Sequence, residues 1–259
     1  MIRNLLIISG AGLILAIVGI GGAFGVGGRD LARHDWTWVV TDDDAGDDSF
    51  KIERGEVSPQ TTRTLAWTGD ERLAIDLPAE VTYDQNADAP GITVIGAKAI
   101  VDRVRFSNGR LTLEDAAEGD RSYIRWTRTG IHGWSESDAL KIIVKAASVK
   151  AFDLSGYTEL EIRGYDQPTL DLSLTGASDV KAQGRTEAVT LDISGAGNAK
   201  LEELFVNDAR LRVSGSGDAE VGPTGRADVD VSGSGSVRLT RRPAELRQEV
   251  SGSGDVTQD

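Results

Sequence analysis

The stretch that decides the fold is residues 191–237, LDISGAGNAKLEELFVNDARLRVSGSGDAEVGPTGRADVDVSGSGSV, in which a Ser-Gly-x-Gly unit recurs. Its leading glycines belong to a longer series with spacings of 20, 19, 20, 18 and 19 residues. The series is Gly156, Gly176, Gly195, Gly215, Gly233 and Gly252. A fixed period near 19 residues is typical of a solenoid in which each turn is one supersecondary unit.

Apolar and polar residues alternate on both sides of each glycine. In one unit the apolar positions are Leu211 and Val213 before the glycine, and Ala219 and Val221 after it. A period of two places one set of side chains inside and the other outside. Each turn therefore contributes two strands that meet at a corner, where glycine permits positive φ or close backbone approach. We predict an all-β fold, a single-stranded parallel β-helix with about 19 residues per turn, clearest over residues 151–259.

The outward positions form two columns that carry charge. The first column lies two residues before the Ser or Thr of each unit and consists of Asp153, Ser173, Asp192, Arg212, Asp230 and Glu249. The second lies four residues before it and consists of Ala151, Asp171, Thr190, Arg210, Asp228 and Arg247. In-register stacking places Arg210 and Arg212 between turns that carry acidic residues, about 4.8 Å away. We expect cross-turn ion pairs that fix the register, with an anionic-ligand site at these two arginines as the alternative.

The amino terminus has the composition of a membrane signal. Residues 5–28 carry no charged side chain and follow the basic Arg3. As a helix, this segment would be long enough to cross a bilayer. Residues 1–28 are predicted to be a transmembrane anchor or a signal peptide cleaved near Ala23, and both interpretations stay open. Residues 29–61, with an acidic run at 42–48, are predicted to be an acidic linker, and residues 62–259 to be the β-helix domain. Trp36 and Trp38 fit either a membrane interface or packing against the body.

Composition excludes several classes of partner and chemistry. The net charge is −13, so the phosphate backbone of a nucleic acid would be repelled, and no nucleic-acid partner is expected. The absence of cysteine removes disulfides, thiolate metal sites and a cysteine nucleophile. His34 and His132 are the two histidines, and neither lies near a suitable partner, so a triad or a histidine metal site is not expected.

The glycine corners themselves are poor candidates for cofactor or metal sites. The run from Gly215 to Gly222 lacks the third spacing and the following helix of a dinucleotide fingerprint. Just past the corner, Asp179, Asn198, Asp218 and Asp255 recur, while Ser236 interrupts the column. Calcium is the alternative here, but Asx-type turn hydrogen bonding explains these residues better. We predict no catalytic, cofactor-binding or metal-binding residues, and no cofactor.

A polysaccharide-degrading β-helix enzyme is the enzymatic alternative. The acidic pairs Asp228/Asp230 and Asp171/Asp192 lie on the outer face, but nothing in the sequence indicates a general acid set apart by burial. The five tryptophans all precede the repeats, which contain only Phe152, Tyr157, Tyr165 and Phe205 as aromatic residues. The repeat array therefore lacks the aromatic density of a sugar-binding groove.

The repeats, together with the run from Leu140 to Val149 that leads into Phe152–Gly156, resemble a bacterial family. Over roughly residues 64–259 the chain is similar to the putative auto-transporter adhesin, head GIN domain family. This resemblance implies a parallel β-helix exported to the cell envelope, with no established enzymatic activity and no site residues to transfer.

The sequence thus predicts a non-enzymatic bacterial cell-envelope protein, anchored in the membrane or secreted to the periplasm or cell surface. Its role would be that of a structural or adhesion/interaction module, with a cell-surface glycan or an envelope protein as partner. The alternatives are a polysaccharide-binding or polysaccharide-degrading β-helix, and a solenoid that self-assembles by end stacking because its last turn shows no capping helix.

Overall fold

The structure is a computed structural model that describes residues 36–42, 50–54, 56–85, 89–114, 121–127, 130–135 and 140–259. The predicted anchor or signal segment, His34 and the acidic residues 43–48 lie outside the described residues. In the part of the chain that is described, no helix is long and apolar enough to span a membrane. The chain divides into two compact units, Met1–Val57 with Arg121–Trp134, and Ser58–Asp120 with Ser135–Asp259.

The first unit contains a four-stranded sheet made of β1 (Trp36–Asp42), β2 (Phe50–Arg54), β9 (Ser122–Thr127) and β10 (Gly130–Ser135). The order of the strands in this sheet is β10-β9-β1-β2. β1 runs antiparallel to both neighbours, with Val39 opposite Glu53 on one side and Tyr123 on the other. Two stretches of the predicted linker therefore form strands, because they are rich in the aromatic and β-branched residues that sheets favour. The segment Tyr123–Trp126, predicted as part of the β-helix domain, belongs to this sheet.

The second unit is a β-solenoid of about five turns with almost no helix. Its first strands are β3 (Gln60–Leu65), β4 (Arg72–Asp76), β5 (Ala79–Asp84), β6 (Gly91–Ala97), β7 (Val104–Ser107), β8 (Arg110–Leu113) and β11 (Lys141–Lys145), with a single-turn helix α1 (Lys98–Val101). The coil continues through β12 (Ala151–Gly156), β13 (Thr158–Asp166), β14 (Thr169–Gly176), β15 (Asp179–Gly195), β16 (Asn198–Gly215), β17 (Asp218–Pro223), β18 (Arg226–Gly233), β19 (Ser236–Leu239), β20 (Glu245–Gly252) and β21 (Asp255–Gln258).

Successive turns pair in parallel and in register. Gly195 lies opposite Gly176 on one side and Gly215 on the other, and Gly233 pairs with Gly252. The glycine column predicted from the spacing is thereby confirmed. The corner glycines stay in register although the turns differ in length, from 18 to 20 residues. The extra residues are accommodated by register shifts elsewhere in the turn, as between Lys181 and Gly184.

The core is a stack of inward apolar columns, as the alternation predicts. One buried column consists of Leu172, Leu191, Leu211 and Val229, each of which pairs with the next. Each aliphatic side chain packs on those above and below, so burial repeats with the turn. The next member of this column is Gln248, in a strand whose residues are all exposed.

The amino-terminal end of the coil is covered first by two parallel strands and then by antiparallel ones. β4 and β5 form a first turn that pairs in parallel with β12 and β13, although residues 85–150 separate β5 from β12 in the sequence. On the far side, β8 pairs with β4 and β11 pairs with β5. β6 then runs antiparallel to β11 and β3, and β7 antiparallel to β8. The backbone groups of the first turn are therefore satisfied on both sides.

Candidate interaction face and family

Two glycine columns shape the corners, and the structure separates their roles. Gly215 has φ +128°, and a Cβ built on it would lie 2.3 Å from the carbonyl oxygen of Gly195 in the preceding turn. Gly217 does not have a positive φ, but its Cβ would lie 2.3 Å from the oxygen of Gly197. From Gly176 onward the first column needs glycine for both conformation and space, whereas the second column needs it for space alone. The Ser-Gly-x-Gly units are thus corners that stack closely.

One flat face of the coil presents three outward columns, which we call the ladder face. It consists of the hydroxyl column Ser155, Thr175, Ser194, Ser214, Ser232 and Ser251; the column from Asp153 to Glu249; and the column from Asp171 to Arg247. Side chains within a column recur at the strand spacing of about 4.8 Å. The face therefore displays hydroxyl and charged groups in parallel rows.

The two arginines predicted to pin the stacking do lie beside acidic turns. Arg212 stands in register between Asp192 and Asp230, and its Nη1 is 4.0 Å from Asp192 Oδ1. Arg210 Nη2 lies 3.5 Å from Asp228 Oδ2. These are loose, solvent-exposed pairs, so each stabilises the fold only weakly. The flanking carboxylates also offset the positive charge, which makes a simple anion site here unfavourable.

A shallow depression of about 190 Å³ lies at the centre of the ladder face. Its polar lining is Asp192, Ser194, Arg212, Ser214, Asp230 and Ser232. The depression is open to solvent and has no buried titratable group. Such a surface can form hydrogen bonds and ion pairs with a partner that lies across it, but it does not enclose a small molecule.

The polar column past the corner is held by hydrogen bonds between turns. Asn198 Nδ2 donates to Asp179 Oδ1 over 2.7 Å, and Ser236 donates to Asp218 Oδ1 through its hydroxyl at 2.5 Å and its backbone N–H at 3.0 Å. We expected Asx-type bonds within one turn, but these four residues bond to the neighbouring turn, because in-register stacking brings like positions together. Within the described ranges, no three His, Cys, Asp or Glu side chains are arranged to hold a metal ion.

The acidic pairs considered for catalysis are dispersed and solvent-accessible. Asp228 and Asp230 lie two residues apart on β18, and Asp228 pairs with Arg210. Asp171 lies opposite Thr190, so it is not the register neighbour of Asp192. His132 is exposed in the first unit. No pair places one carboxyl group in an apolar environment beside an ionised one, as a general acid and its partner would require.

Tighter ion pairs occur away from the ladder face, at positions that the charged columns before the corner do not predict. Arg185 donates two hydrogen bonds to Asp166, at 2.8 and 2.7 Å, and Arg238 Nη2 lies 2.6 Å from Glu220. The hydrogen bond that Arg185 donates to Asp166 lowers the pKa of Asp166, and the one that Arg238 donates to Glu220 raises the pKa of Arg238. Aligning the strands after the corner would have placed Arg238 beside Glu220, so the signal was present in the repeat.

The aromatic residues of the array divide into core and surface. Phe152 and Tyr165 are buried, whereas Tyr157 and Phe205 are 70% and 61% exposed. The guanidinium carbon of Arg241 lies 5.0 Å from the centre of the Phe205 ring, a cation–π contact that covers one ring face. Tyr157 follows the first corner glycine, Gly156, and is thus adjacent in sequence to Ser155 of the ladder face.

Comparison with known proteins agrees with this architecture. The sequence matches the family model described as putative auto-transporter adhesin, head GIN domain, over residues 71–243. The fold is similar to that of a putative adhesin from Bacteroides fragilis NCTC 9343, with a TM-score of 0.60, 18% identity, and coverage of 78% of this chain and 98% of that one. For a putative adhesin from Parabacteroides merdae ATCC 43184 the TM-score is 0.46 and the sequence identity is 15%, with coverage of 77% of this chain and 96% of that one.

At these identities the structural likeness concerns the fold alone. Among curated proteins, no sequence matches this chain. The family model, however, covers more than half of the chain, and its span contains the coil from β4 to β19. The resemblance inferred from the glycine repeat is therefore confirmed: this chain belongs to the putative auto-transporter adhesin, head GIN domain family.

Proposed function

We propose that this chain is a non-enzymatic protein of the bacterial cell envelope and acts as an adhesion or interaction module through its ladder face. The observation that carries the proposal is the geometry of that face, in which rows of hydroxyl and charged side chains repeat on a rigid core. A partner with regularly spaced polar groups, such as an extended glycan or a strand of an envelope protein, would meet complementary groups turn after turn. Many weak contacts of this kind add up through multivalency.

The proposal predicts that binding depends on the charges of the ladder face. The full chain is tested against isolated cell-wall polysaccharides and envelope extracts, with Arg212→Glu as the variant. Arg238→Glu is the matched control, because Arg238 also forms a cross-turn ion pair but lies outside the ladder face. We expect roughly tenfold weaker binding for Arg212→Glu and wild-type binding for Arg238→Glu. Equal binding by both variants would contradict the role of this face.

A polysaccharide-binding role is the second candidate, and the exposed ring of Tyr157 favours it. An aromatic ring that projects from a rigid corner can stack on a sugar ring. Binding of a polysaccharide that is lost in Tyr157→Ala, and kept in Tyr157→Phe, would support this candidate. Release of reducing ends from any polysaccharide by the purified chain would overturn the non-enzymatic proposal.

A further inference from the structure

The last turn of the coil differs from all the others in its burial and pairing. Among the described residues, β20 and β21 pair only with β18 and β19 of the preceding turn. All eight residues of β20 are exposed, including Leu246 and Val250 at 40% and 42%, although both continue the inward apolar columns. A strand edge with exposed apolar positions readily pairs with another strand.

The backbone of β20 is oriented to receive such a strand. The N–H group of Glu245, the first residue of β20, points to the preceding turn, where it donates to the carbonyl oxygen of Gly225. Since the backbone groups of successive residues point to opposite sides of a strand, those of Leu246, Gln248 and Val250 face the other edge. An added strand would therefore form its hydrogen bonds with these residues.

We propose that β20 pairs with β20 of a second copy of this chain, antiparallel about a two-fold axis at Gln248. The first turn at the opposite end does not offer an equivalent open edge, because β8 and β11 already pair with β4 and β5. The matching edge for β20 is therefore the same strand in a second copy. A two-fold interface is closed, so the product is a dimer and not a filament.

Charge selects the register of this pairing. An axis at Gln248 sets Arg247 of each copy opposite Glu249 of the other, and Leu246 opposite Val250, so apolar and ionic pairs both match. An axis at Glu249 would place Glu249 of one copy opposite Glu249 of the other. An axis at Arg247 would place the two Arg247 side chains opposite each other. Like charges directly opposite each other destabilise a strand pair, so the Gln248 register is the favoured one.

The register is tested by cross-linking, for which the absence of cysteine is an advantage. In the proposed dimer the two Gln248 residues form a hydrogen-bonded pair with Cα atoms about 5.5 Å apart, within the range of a disulfide. Full chain carrying Gln248→Cys should oxidise to a covalent dimer, whereas Glu249→Cys and Arg247→Cys should do so far less. Preferential cross-linking by either control would overturn the proposed register.

The charge pairs are tested by sedimentation of the full chain over a range of concentrations. Arg247→Glu alone and Glu249→Arg alone should each raise the dissociation constant of the dimer roughly tenfold or more, and the double variant should restore it. Because all variants share residues 1–28, association through that segment would be the same in each. A monomer at every concentration, an open-ended polymer, or a double variant no tighter than the single ones would overturn the proposal. Arg247 and Glu249 also belong to the ladder face, but two copies associate without any other partner, so this pairing does not rest on the proposed adhesion function.

Discussion

At the residue scale, the corner glycines show which physical property each position requires. Gly215 and Gly156 both have positive φ, but a Cβ on Gly156 would meet nothing within 4 Å, because no corner glycine of an earlier turn lies beneath it. Gly176 has nearly the same φ as Gly156, +94° against +83°, but a Cβ built on it would lie 2.7 Å from the carbonyl oxygen of Gly156. This pair allows the cost of the conformation to be separated from the cost of the clash.

We predict that Gly156→Ala lowers the free energy of unfolding by about 1 kcal/mol, the cost of a positive φ for a residue with a Cβ. Gly176→Ala should cost more than about 3 kcal/mol, since the new methyl group also displaces the backbone of Gly156. Denaturant unfolding followed by circular dichroism measures both. Equal losses would mean that conformation alone, and not stacking distance, accounts for glycine at the corner.

Tyr83 links stability to alkaline pH. Its ring is buried, its hydroxyl donates to the carbonyl oxygen of Ala146 over 2.5 Å, and burial raises its pKa from 10 to about 12. The folded chain therefore retains a proton that the unfolded chain loses near pH 10. The contribution of this proton to the free energy of unfolding is complete below pH 10. It falls by on the order of 2 kcal/mol as the pH rises from 10 through about 12.

Tyr83→Phe should accordingly reduce the slope of stability against pH between 10 and 12. Burial also raises the pKa of Tyr165, so part of the slope should remain in this variant. Tyr157→Phe is the control, because its ring projects into solvent. Thermal melts at half-unit pH steps provide the measurement. An unchanged slope in Tyr83→Phe would show that this proton is not linked to folding.

At the element scale, each strand is stabilised by the turns on both sides of it. Leu211 is buried between Leu191 and Val229, whereas Leu246 occupies an equivalent inward position in a turn that has a neighbour on one side only. Leu211→Ala should cost about 2–5 kcal/mol, as expected for a large-to-small substitution in a packed core. Leu246→Ala should cost less than about 1 kcal/mol at concentrations where the chain is monomeric. Similar losses would show that the last turn packs as firmly as an interior one.

At the scale of the whole molecule, the coil is covered at one end and exposed at the other. In a solenoid each turn contacts only its neighbours, so local opening should begin where a neighbour is absent. Hydrogen exchange should therefore be fastest in β20 and β21 and should slow towards β14. At concentrations that favour the proposed dimer, Leu246, Gln248 and Val250 should gain protection. Uniform protection along a monomeric coil would contradict this gradient.

The repeat period and the alternation of apolar residues by themselves determined the solenoid, its glycine corners, its inward columns and the in-register ladder of Arg210 and Arg212. These follow from the sequence because stacking in a coil is local and periodic: a residue contacts its equivalent one period away. The family could be inferred for the same reason, since the repeat is its most specific feature.

Only the tertiary structure revealed the contacts that do not recur at the repeat spacing. The sequence could not show that β8 and β11 cover the first turn, or that β1 and β2 join residues 122–135 in a separate sheet. Such pairings join segments through long and irregular connections, and their register is set by packing in three dimensions, which no spacing along the chain encodes.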